Sequence, residues 1–182
     1  MSDRKKVVRL AAMLLVPGLL MPVHAQEAET PVEAPLNVDK ELAEGLAAFN
    51  SGDLIGAMSR YRRAANSGST EAKVRLAWIL DQSEDNAGAL RLYSEAAEAG
   101  DPAGQFGLAE LYANGEGVKR DVRRAVKLFE AAAANGYPRA MMVLASAYRE
   151  GGLGLVPSTE RAEFWENRLA DTVKANVPDR TH

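Results

Sequence analysis

Tyr93-Ser-Glu-Ala-Ala-Glu-Ala-Gly100 is one of three copies of an eight-residue template in this chain. The other two copies are Tyr61-Arg-Arg-Ala-Ala-Asn-Ser-Gly68 and Phe129-Glu-Ala-Ala-Ala-Ala-Asn-Gly136. In each copy an alanine stands four residues before the aromatic residue, and a leucine followed by an alanine begins eight residues after the glycine. The glycines are 32 and 36 residues apart, and repeats of this length are typical of stacked helical hairpins.

The spacing within each copy predicts a helix that ends at the glycine. Ala57, Tyr61 and Ala64 lie at positions i, i+4 and i+7, which share one face of a helix. A glycine after such a pattern can take the left-handed conformation that closes many helices. The next helix then starts at once, as in Asp101-Pro102, where an N-cap residue precedes a first-turn proline. Each repeat is therefore predicted to be a hairpin of two helices, A followed by B.

These signals predict an all-α protein, a right-handed α-solenoid of about four hairpins without any sheet. The eight predicted helices are Asp39–Ser51, Asp53–Ser67, Ser69–Gln82, Asp85–Ala99, Pro102–Ala113, Asp121–Asn135, Pro138–Arg149 and Ser158–Ala175. The proposed N-cap residues are Asp53, Ser69, Asp85, Asp101, Asp121 and Ser158.

Two columns of the aligned repeats predict the core, and a third predicts a binding face. The core columns are the aromatic residue of the template and the residue six after the glycine, namely Tyr61, Tyr93, Phe129, Val74, Phe106 and Met142. The position ten residues after the glycine holds Trp78, Glu110 and Ser146. The side chain at this position therefore differs between repeats, although the repeat pattern around it is constant. Tryptophan is among the residues most enriched in binding hot spots. Trp78 is therefore either a binding residue or the cover of a hairpin junction, and the sequence leaves both possibilities open.

The third repeat carries the most specific pattern. It reads Leu108-Ala-Glu-Leu-Tyr-Ala-Asn-Gly-Glu-Gly-Val-Lys-Arg-Asp121, followed by Ala125 and by Phe129-Glu-Ala-Ala-Ala. This pattern resembles the Sel-one-like repeat (SLR), a subclass of the tetratricopeptide-like solenoids. The glycine-containing loop, the aspartate before helix B and the Ala-Ala-x-x-Gly ending carry the resemblance, which covers residues 39–175. The first two repeats have a shorter turn between helices A and B, which is closer to an ordinary tetratricopeptide repeat.

The resemblance implies a concave face, built mainly from the A helices, that binds an extended peptide or a partner domain. The candidate partner-binding residues on this face are Trp78, Asp81, Gln82, Glu110, Asn114 and Arg149. Family members commonly act in complex assembly, envelope signalling and host contact, so the expected role is that of a non-catalytic scaffold or adaptor. The first alternative is a periplasmic regulator that restrains a membrane sensor or an envelope enzyme. A less favoured alternative is an enzyme that binds or hydrolyses β-lactams, as is associated with some secreted cysteine-rich relatives.

The N-terminal segment has the layout of a secretory signal peptide. Four basic residues precede an apolar run from Leu10 to Leu20, and Val23 and Ala25 place small residues at the −3 and −1 positions of a cleavage site. Cleavage after Ala25 and a periplasmic or secreted location in a Gram-negative bacterium are therefore expected. An uncleaved membrane anchor is the alternative, although Pro17 interrupts a run that is short for a membrane span.

Three further segments complete the predicted organisation. Residues 26–38 are expected to form a flexible, acidic linker that contains proline. Residues 39–175 form the helical repeat domain, and residues 176–182 are expected to be a disordered tail.

Composition excludes several classes of function. The 182 residues include no cysteine, which rules out disulfides, thiolate zinc sites and a cysteine nucleophile. The two histidines are His24, within the expected signal peptide, and His182, the last residue, so a Ser-His-Asp triad is not expected. The net charge of −3 becomes −6 after cleavage, with 18 basic against 24 acidic residues, and this argues against nucleic acid as a partner. No cofactor, metal ion, catalytic residue or stable membrane insertion is expected.

Overall fold

Eight α-helices and one short 3₁₀ turn make up most of residues 36–176, the part of the chain that the computed structural model describes. The helices are α1 (Val38–Asn50), α2 (Leu54–Asn66), α3 (Thr70–Gln82), α4 (Asn86–Glu98), α5 (Pro102–Asn114), α6 (Val122–Ala134), α7 (Pro138–Glu150) and α8 (Thr159–Asn176). Residues 36–176 contain no strand, so the prediction of an all-α fold is confirmed there. The expected signal peptide, most of the expected linker and nearly all of the expected tail lie outside the described residues.

The helices begin at side-chain caps. Every proposed N-cap residue accepts a hydrogen bond from the backbone N–H three residues ahead, at 2.8–3.3 Å, and these residues are Asp53, Ser69, Asp85, Asp101, Asp121 and Ser158. The first helix starts one residue earlier than predicted because Asn37 caps it, accepting from the N–H of Lys40 at 2.9 Å. Each such bond satisfies a backbone donor that the first helical turn leaves unpaired.

Left-handed residues close the turns between helices. The closing glycines of the template have φ values of 94°, 82° and 83°, as predicted for Gly68, Gly100 and Gly136. Glycine takes this conformation without the steric cost that a Cβ atom adds. The turn from α1 to α2 also uses a glycine, Gly52 with φ of 84°, whereas the equivalent turn from α3 to α4 uses Glu84 with φ of 63°. Glu84 is therefore a strained residue in a position where the first repeat uses glycine.

Neighbouring helices pack in chain order, which makes the described region an α-solenoid. The pairs α1–α2, α3–α4, α5–α6 and α7–α8 form hairpins, and each hairpin packs against the next. The alanines four residues before each aromatic residue, Ala57, Ala89 and Ala125, are fully buried. Because their side chains are so small, neighbouring helices can approach closely. None of the helices within residues 36–176 is long and apolar enough to cross a membrane.

The aromatic column forms the core as predicted, but the column six after the glycine does so only in part. The members of the aromatic column are at most 5% exposed, and they are Tyr61, Tyr93 and Phe129. Phe106 is buried and Val74 is half-buried, but Met142 is 56% exposed, so its assignment to the core is wrong. Phe106 is covered by the start of the next A helix, where the ring of Tyr137 lies 5.1 Å away. No further A helix follows α7 in residues 36–176, so Met142 lacks this cover.

The left-handed conformation of Glu84 leads to a first prediction. The exposed side chain of Glu84 makes no hydrogen bond or ion pair within the described residues, so its replacement removes backbone strain and little else. We expect Glu84→Gly to raise the free energy of unfolding by up to about 1 kcal/mol. The measurement is urea unfolding at neutral pH. Gly52→Ala, in the equivalent turn of the first repeat, is the matched control and should lower the free energy by about 1 kcal/mol. A loss of stability in Glu84→Gly would contradict the assignment of strain.

Candidate functional site

A groove of about 560 Å³ follows helices α1, α3 and α5 and ends at the first turn of α7. We call it the A-helix groove because most of its lining residues belong to A helices. Its aromatic lining residues are Phe49, Tyr61, Trp78, Tyr93, Phe106 and Tyr137. Its charged lining residues are Glu71, Arg75, Asp101, Glu110 and Arg139. A mainly apolar cleft of this size with a few charged side chains has the properties of ligand-binding sites in general.

Trp78 and Phe49 form one aromatic wall of the groove. Their ring centroids are 5.5 Å apart, and the ring planes meet at 77° in an edge-to-face arrangement. This contact joins α3 to α1, so Trp78 does cover a junction between hairpins. The side chain nevertheless remains 43% exposed, which leaves much of the indole open to a ligand. The two roles left open by the sequence are therefore compatible.

Phe106, Tyr137 and Arg139 form a second cluster in the lining of the groove. The ring of Phe106 lies 5.1 Å from that of Tyr137, and the guanidinium of Arg139 lies over Phe106 at 4.6 Å from the ring centroid. Arg139 also approaches Glu110, with 3.7 Å between its Nη2 and the carboxylate Oε1. The guanidinium is thus held between a ring face and a carboxylate, an arrangement that suits arginine.

Tyr93 reaches the groove from helix α4 because Gly107 leaves room for its ring. A Cβ atom at Gly107 would lie 2.4 Å from the tyrosine ring, which is closer than real contacts allow. Tyr93 is only 5% exposed, yet it lines the groove and its hydroxyl makes no hydrogen bond within the described residues. Burial raises the pKa of Tyr93, and the charges of Asp81 and Glu110 raise it further. These two carboxylates therefore lie near the tyrosine.

Glu110 lines the groove, and Asp81 and Glu116, which lie outside its lining, add negative charge close to Glu110. Burial raises the pKa of Glu110; Arg139 opposes the increase, and Asp81 and Glu116 add to it. Burial also raises the pKa of Asp81, and Glu116 adds to that increase. Arg139 is the only cation of the described residues within 4.0 Å of any of the three carboxylates. Within residues 36–176 no group of acidic side chains has an arrangement suited to a metal ion.

The structure brings together only part of the candidate set. Trp78 and Glu110 line the groove, and Asp81 lies just beyond Trp78 on the same helix. Gln82 is exposed at the last position of α3 and does not line the groove. Asn114 is exposed at the last position of α5, where its Nδ2 donates to the carboxylate of Glu116 at 3.1 Å.

Arg149 lies away from the A-helix groove and has a structural contact. Its guanidinium forms an ion pair with Glu166 of α8. Since Arg149 belongs to α7, this pair links the two helices of the last hairpin. The structure therefore places Arg149 at a helix–helix contact.

Helix periodicity could have found the groove residues that the sequence analysis missed. Residues 71, 74, 75 and 78 of α3 lie at positions i, i+3, i+4 and i+7, and all four line the groove. Residues 103, 106, 107 and 110 of α5 repeat this pattern. The groove thus extends from Trp78 and Glu110 toward the N-terminal ends of the A helices, whereas Gln82 and Asn114 were chosen toward the C-terminal ends. Phe49 and Arg139 belong to flanking hairpins and carry no comparable signal in the sequence.

Comparison with known proteins supports the repeat architecture. A protein-family model described as the Sel1 repeat matches residues 71–101, 102–137 and 138–171. An uncharacterised protein of Neisseria meningitidis serogroup B is 32% identical over 120 residues, which are 65% of this chain and 25% of that protein. The chain therefore spans about a quarter of the length of this relative.

Two solved structures share the fold. The Sel1 repeat protein from Oxalobacter formigenes superposes with a TM-score of 0.69 at 29% identity, over 73% of this chain and 56% of that one. The protein c5321, a protective antigen of uropathogenic Escherichia coli strains that displays an SLR fold, superposes with a TM-score of 0.62 at 24% identity. In the second comparison the match covers 78% of this chain and 35% of the other.

The raised pKa values of Asp81 and Glu110 lead to a second prediction. A carboxyl whose pKa is higher in the folded than in the unfolded state destabilises the fold when it is ionised. This cost is absent below the ordinary carboxyl range and grows as the pH rises through and above it. We therefore expect the Asp81→Asn/Glu110→Gln double variant to melt at a higher temperature than the wild type at pH 7. The difference should vanish near pH 3, where the carboxyls of Asp81 and Glu110 are protonated because their pKa values are raised.

Glu41 provides a control for which the opposite change in melting temperature is expected. A hydrogen bond from Arg63, 2.7 Å from the carboxylate, lowers the pKa of Glu41. Ionised Glu41 therefore stabilises the fold above the ordinary carboxyl range, and this contribution is lost as the pH falls. Glu41→Gln should melt below the wild type at pH 7, again with a smaller difference at low pH. Thermal melts of all three proteins from pH 3 to pH 8 are the measurement. A double variant that melts below the wild type at pH 7 would show that the groove acids are stabilising.

Proposed function

The chain belongs to the Sel1 repeat family, and from this we propose that it is a non-catalytic scaffold whose A-helix groove binds an extended segment of a partner protein. Sel1 repeat proteins are generally protein-interaction scaffolds. Repeat proteins of this type expose long concave surfaces because each repeat contacts only its neighbours. The A-helix groove spans three consecutive hairpins and so offers such a surface.

The observation that carries this proposal is the partly exposed Trp78–Phe49 wall. Trp78 is 43% exposed beside an apolar cleft, although a soluble protein gains stability by covering such a ring. Aromatic and arginine side chains are the most frequent binding hot spots, and Trp78 faces a groove that also contains Phe106 and Arg139. A partner side chain that fills the cleft would cover these surfaces.

A binding role also suits the charged side chains of the groove. Arg75 donates to the carboxylate of Glu71 from Nε at 2.9 Å and from Nη2 at 2.7 Å. Arg139 is held by Phe106 and Glu110, as described above. Residues 36–176 contain neither histidine nor cysteine, the residue types most used as general base and as thiol nucleophile. These features favour recognition over chemistry.

We further propose that the scaffold acts in the bacterial periplasm, after removal of residues 1–25. The support is the sequence alone, with its basic start, apolar run and small residues before Gln26. In this compartment an adaptor would join envelope proteins.

A third prediction concerns this export step. Protein recovered from the periplasmic fraction of its native host should begin at Gln26, as read by N-terminal sequencing. Ala25→Tyr, which places a large residue at the −1 position, should leave the precursor uncleaved. Recovery of the intact N-terminus from the soluble cytoplasmic fraction would contradict the proposed location.

A fourth prediction concerns partner binding at Trp78. A photo-crosslinking amino acid at groove residue Ala103 should trap the partner in living cells, whereas the same amino acid at Arg123 on α6, outside the groove, should not. Mass spectrometry of the adduct identifies the partner. Trp78→Ala should then weaken binding of this partner by about 2 kcal/mol or more, about thirtyfold. The melting temperature should fall only modestly, because the variant loses the contact with Phe49 but 43% of Trp78 is already exposed.

Phe164→Ala is the matched control for this loss. Phe164 is also aromatic and is 51% exposed, but it lies on α8, away from the A-helix groove. Its replacement should leave partner affinity unchanged. A large drop in melting temperature for Trp78→Ala with unchanged affinity would make Trp78 a structural residue and contradict the proposed site.

A further inference from the structure

We propose that the A-helix groove selects a partner segment that carries a lysine or arginine side chain. In this arrangement the cationic group lies between Asp81 and Glu110, and its aliphatic stem lies along Trp78. The inference rests on the proposed function and adds the chemistry of the bound side chain. It is carried by the charge balance of the groove, by the accessible hydroxyl of Tyr93 and by the spacing of the residues.

The charged residues in and beside the groove are unevenly paired. Among the groove residues, the cation of Arg75 is already matched, because the guanidinium donates twice to Glu71. Arg139 is the only cation within 4.0 Å of the three carboxylates at the other end, and its 3.7 Å separation from Glu110 is longer than a hydrogen bond. Asp81 and Glu116 have no cation within that distance among the described residues. The groove surface around Glu110, together with the adjacent Asp81 and Glu116, is therefore acidic and only partly neutralised.

Tyr93 supplies independent evidence for a polar ligand group. The residue is only 5% exposed, and it lines the groove without a hydrogen-bond partner in the described residues. The hydroxyl is not among the buried side-chain atoms that lack a partner, so it stays open to the groove and can bond to a ligand in place of solvent. The hydroxyl oxygen can accept a hydrogen bond from an ammonium or a guanidinium while the neighbouring carboxylates balance the charge. A carboxylate ligand would instead add a fourth negative charge.

The spacing suits a long side chain with a charged end. Trp78 and Asp81 are three residues apart on α3, about 4.5 Å along the helix axis. Glu110 stands on α5 at the position that corresponds to Trp78, and α3 and α5 are in contact. The stem of a lysine or arginine can therefore cover the exposed indole while its head reaches both carboxylates. Contact between a cation and the face of a tryptophan is itself favourable.

The test begins with a phage-displayed library of random 12-residue peptides, selected on the purified chain. The expected result is enrichment of peptides with a lysine or arginine next to an apolar residue. For the most enriched peptide, isothermal titration compares the selected sequence with a synthetic version in which glutamine replaces the basic residue. We expect the substituted peptide to bind at least about tenfold more weakly, the size expected for hydrogen bonds to charged groups.

Variants of the protein test whether Asp81 and Glu110 cause this difference in affinity. Asp81→Asn/Glu110→Gln should reduce the affinity for the basic peptide at least about tenfold and leave the affinity for the glutamine peptide nearly unchanged. The control Glu98→Gln/Asp171→Asn removes two exposed carboxylates outside the groove, with the same change in net charge, and should have no comparable effect. Circular dichroism establishes that both double variants are folded.

The other outcomes separate this inference from the proposed function. Enriched peptides that need Trp78 but show no preference for a basic residue, or that bind the two double variants equally, would overturn the charge selectivity and leave the groove as a binding site. If no selected peptide loses affinity on Trp78→Ala, both the proposed groove function and the charge selectivity are overturned.

Discussion

Close approach of neighbouring helices is the constraint on which this solenoid depends. Ala57, Ala89 and Ala125 are fully buried at equivalent positions of helices α2, α4 and α6. A larger side chain at these positions would push the helices apart, because protein interiors are packed too densely to absorb added volume. The chain contains no cysteine, so no disulfide can compensate for poor packing between hairpins. Repetition of small residues at fixed spacing therefore holds the hairpins in contact.

The same close packing creates the floor of the groove. Gly107 has no side chain where a Cβ atom would lie 2.4 Å from the ring of Tyr93, and Gly45 stands in a similar relation to Tyr61, at 2.6 Å. The two tyrosines can therefore belong to the core and still reach the A-helix groove from B helices. Binding surface and core are thus not separate layers in this fold. A change in the packing of α4 against α5 would alter the shape of the groove even without touching its exposed residues.

The sequence predicts those features that depend on neighbours in the chain. All six N-cap residues, such as Asp53 and Ser69, act within one helical turn, so local spacing identifies them. Features that depend on neighbours in space are harder to predict. Met142 shares its column with Phe106, but it is exposed because no A helix follows α7 in the described residues. The 3₁₀ turn at Gly152–Gly154, in which Leu153 has φ of 53°, lies between α7 and α8 within the last matched repeat, and the sequence analysis did not predict it.

In the candidate site, too, features set by sequence neighbours are predictable and features set by spatial neighbours are not. The sequence identified Trp78 and Glu110 because the residue type at their repeat position varies while the surrounding positions are constant. Their neighbours Arg75 and Arg139 could be assigned to the site only from the three-dimensional arrangement of the helices. Phe49 and Arg139 come from the first and last hairpins that border the groove, so only the stacking of hairpins brings them together. A repeat alignment identifies which positions face a common side, whereas the shape of the site comes from the superhelix.

The distribution of charge distinguishes the groove from the other helix contacts. Between α3 and α4, Lys73 lies 2.9 Å from Glu95, and its hydrogen bond lowers the pKa of that carboxyl. The link between α1 and α2 is similar, with Glu41 accepting from Arg63 at 2.7 Å. Carboxylates that join helices are therefore stabilised in the charged form, while burial raises the pKa values of Asp81 and Glu110. The structural acids are closely paired, whereas Asp81 has no cation within 4.0 Å among the described residues and Glu110 has only Arg139 at 3.7 Å. A cation that enters the groove would therefore remove an electrostatic cost that folding alone leaves in place.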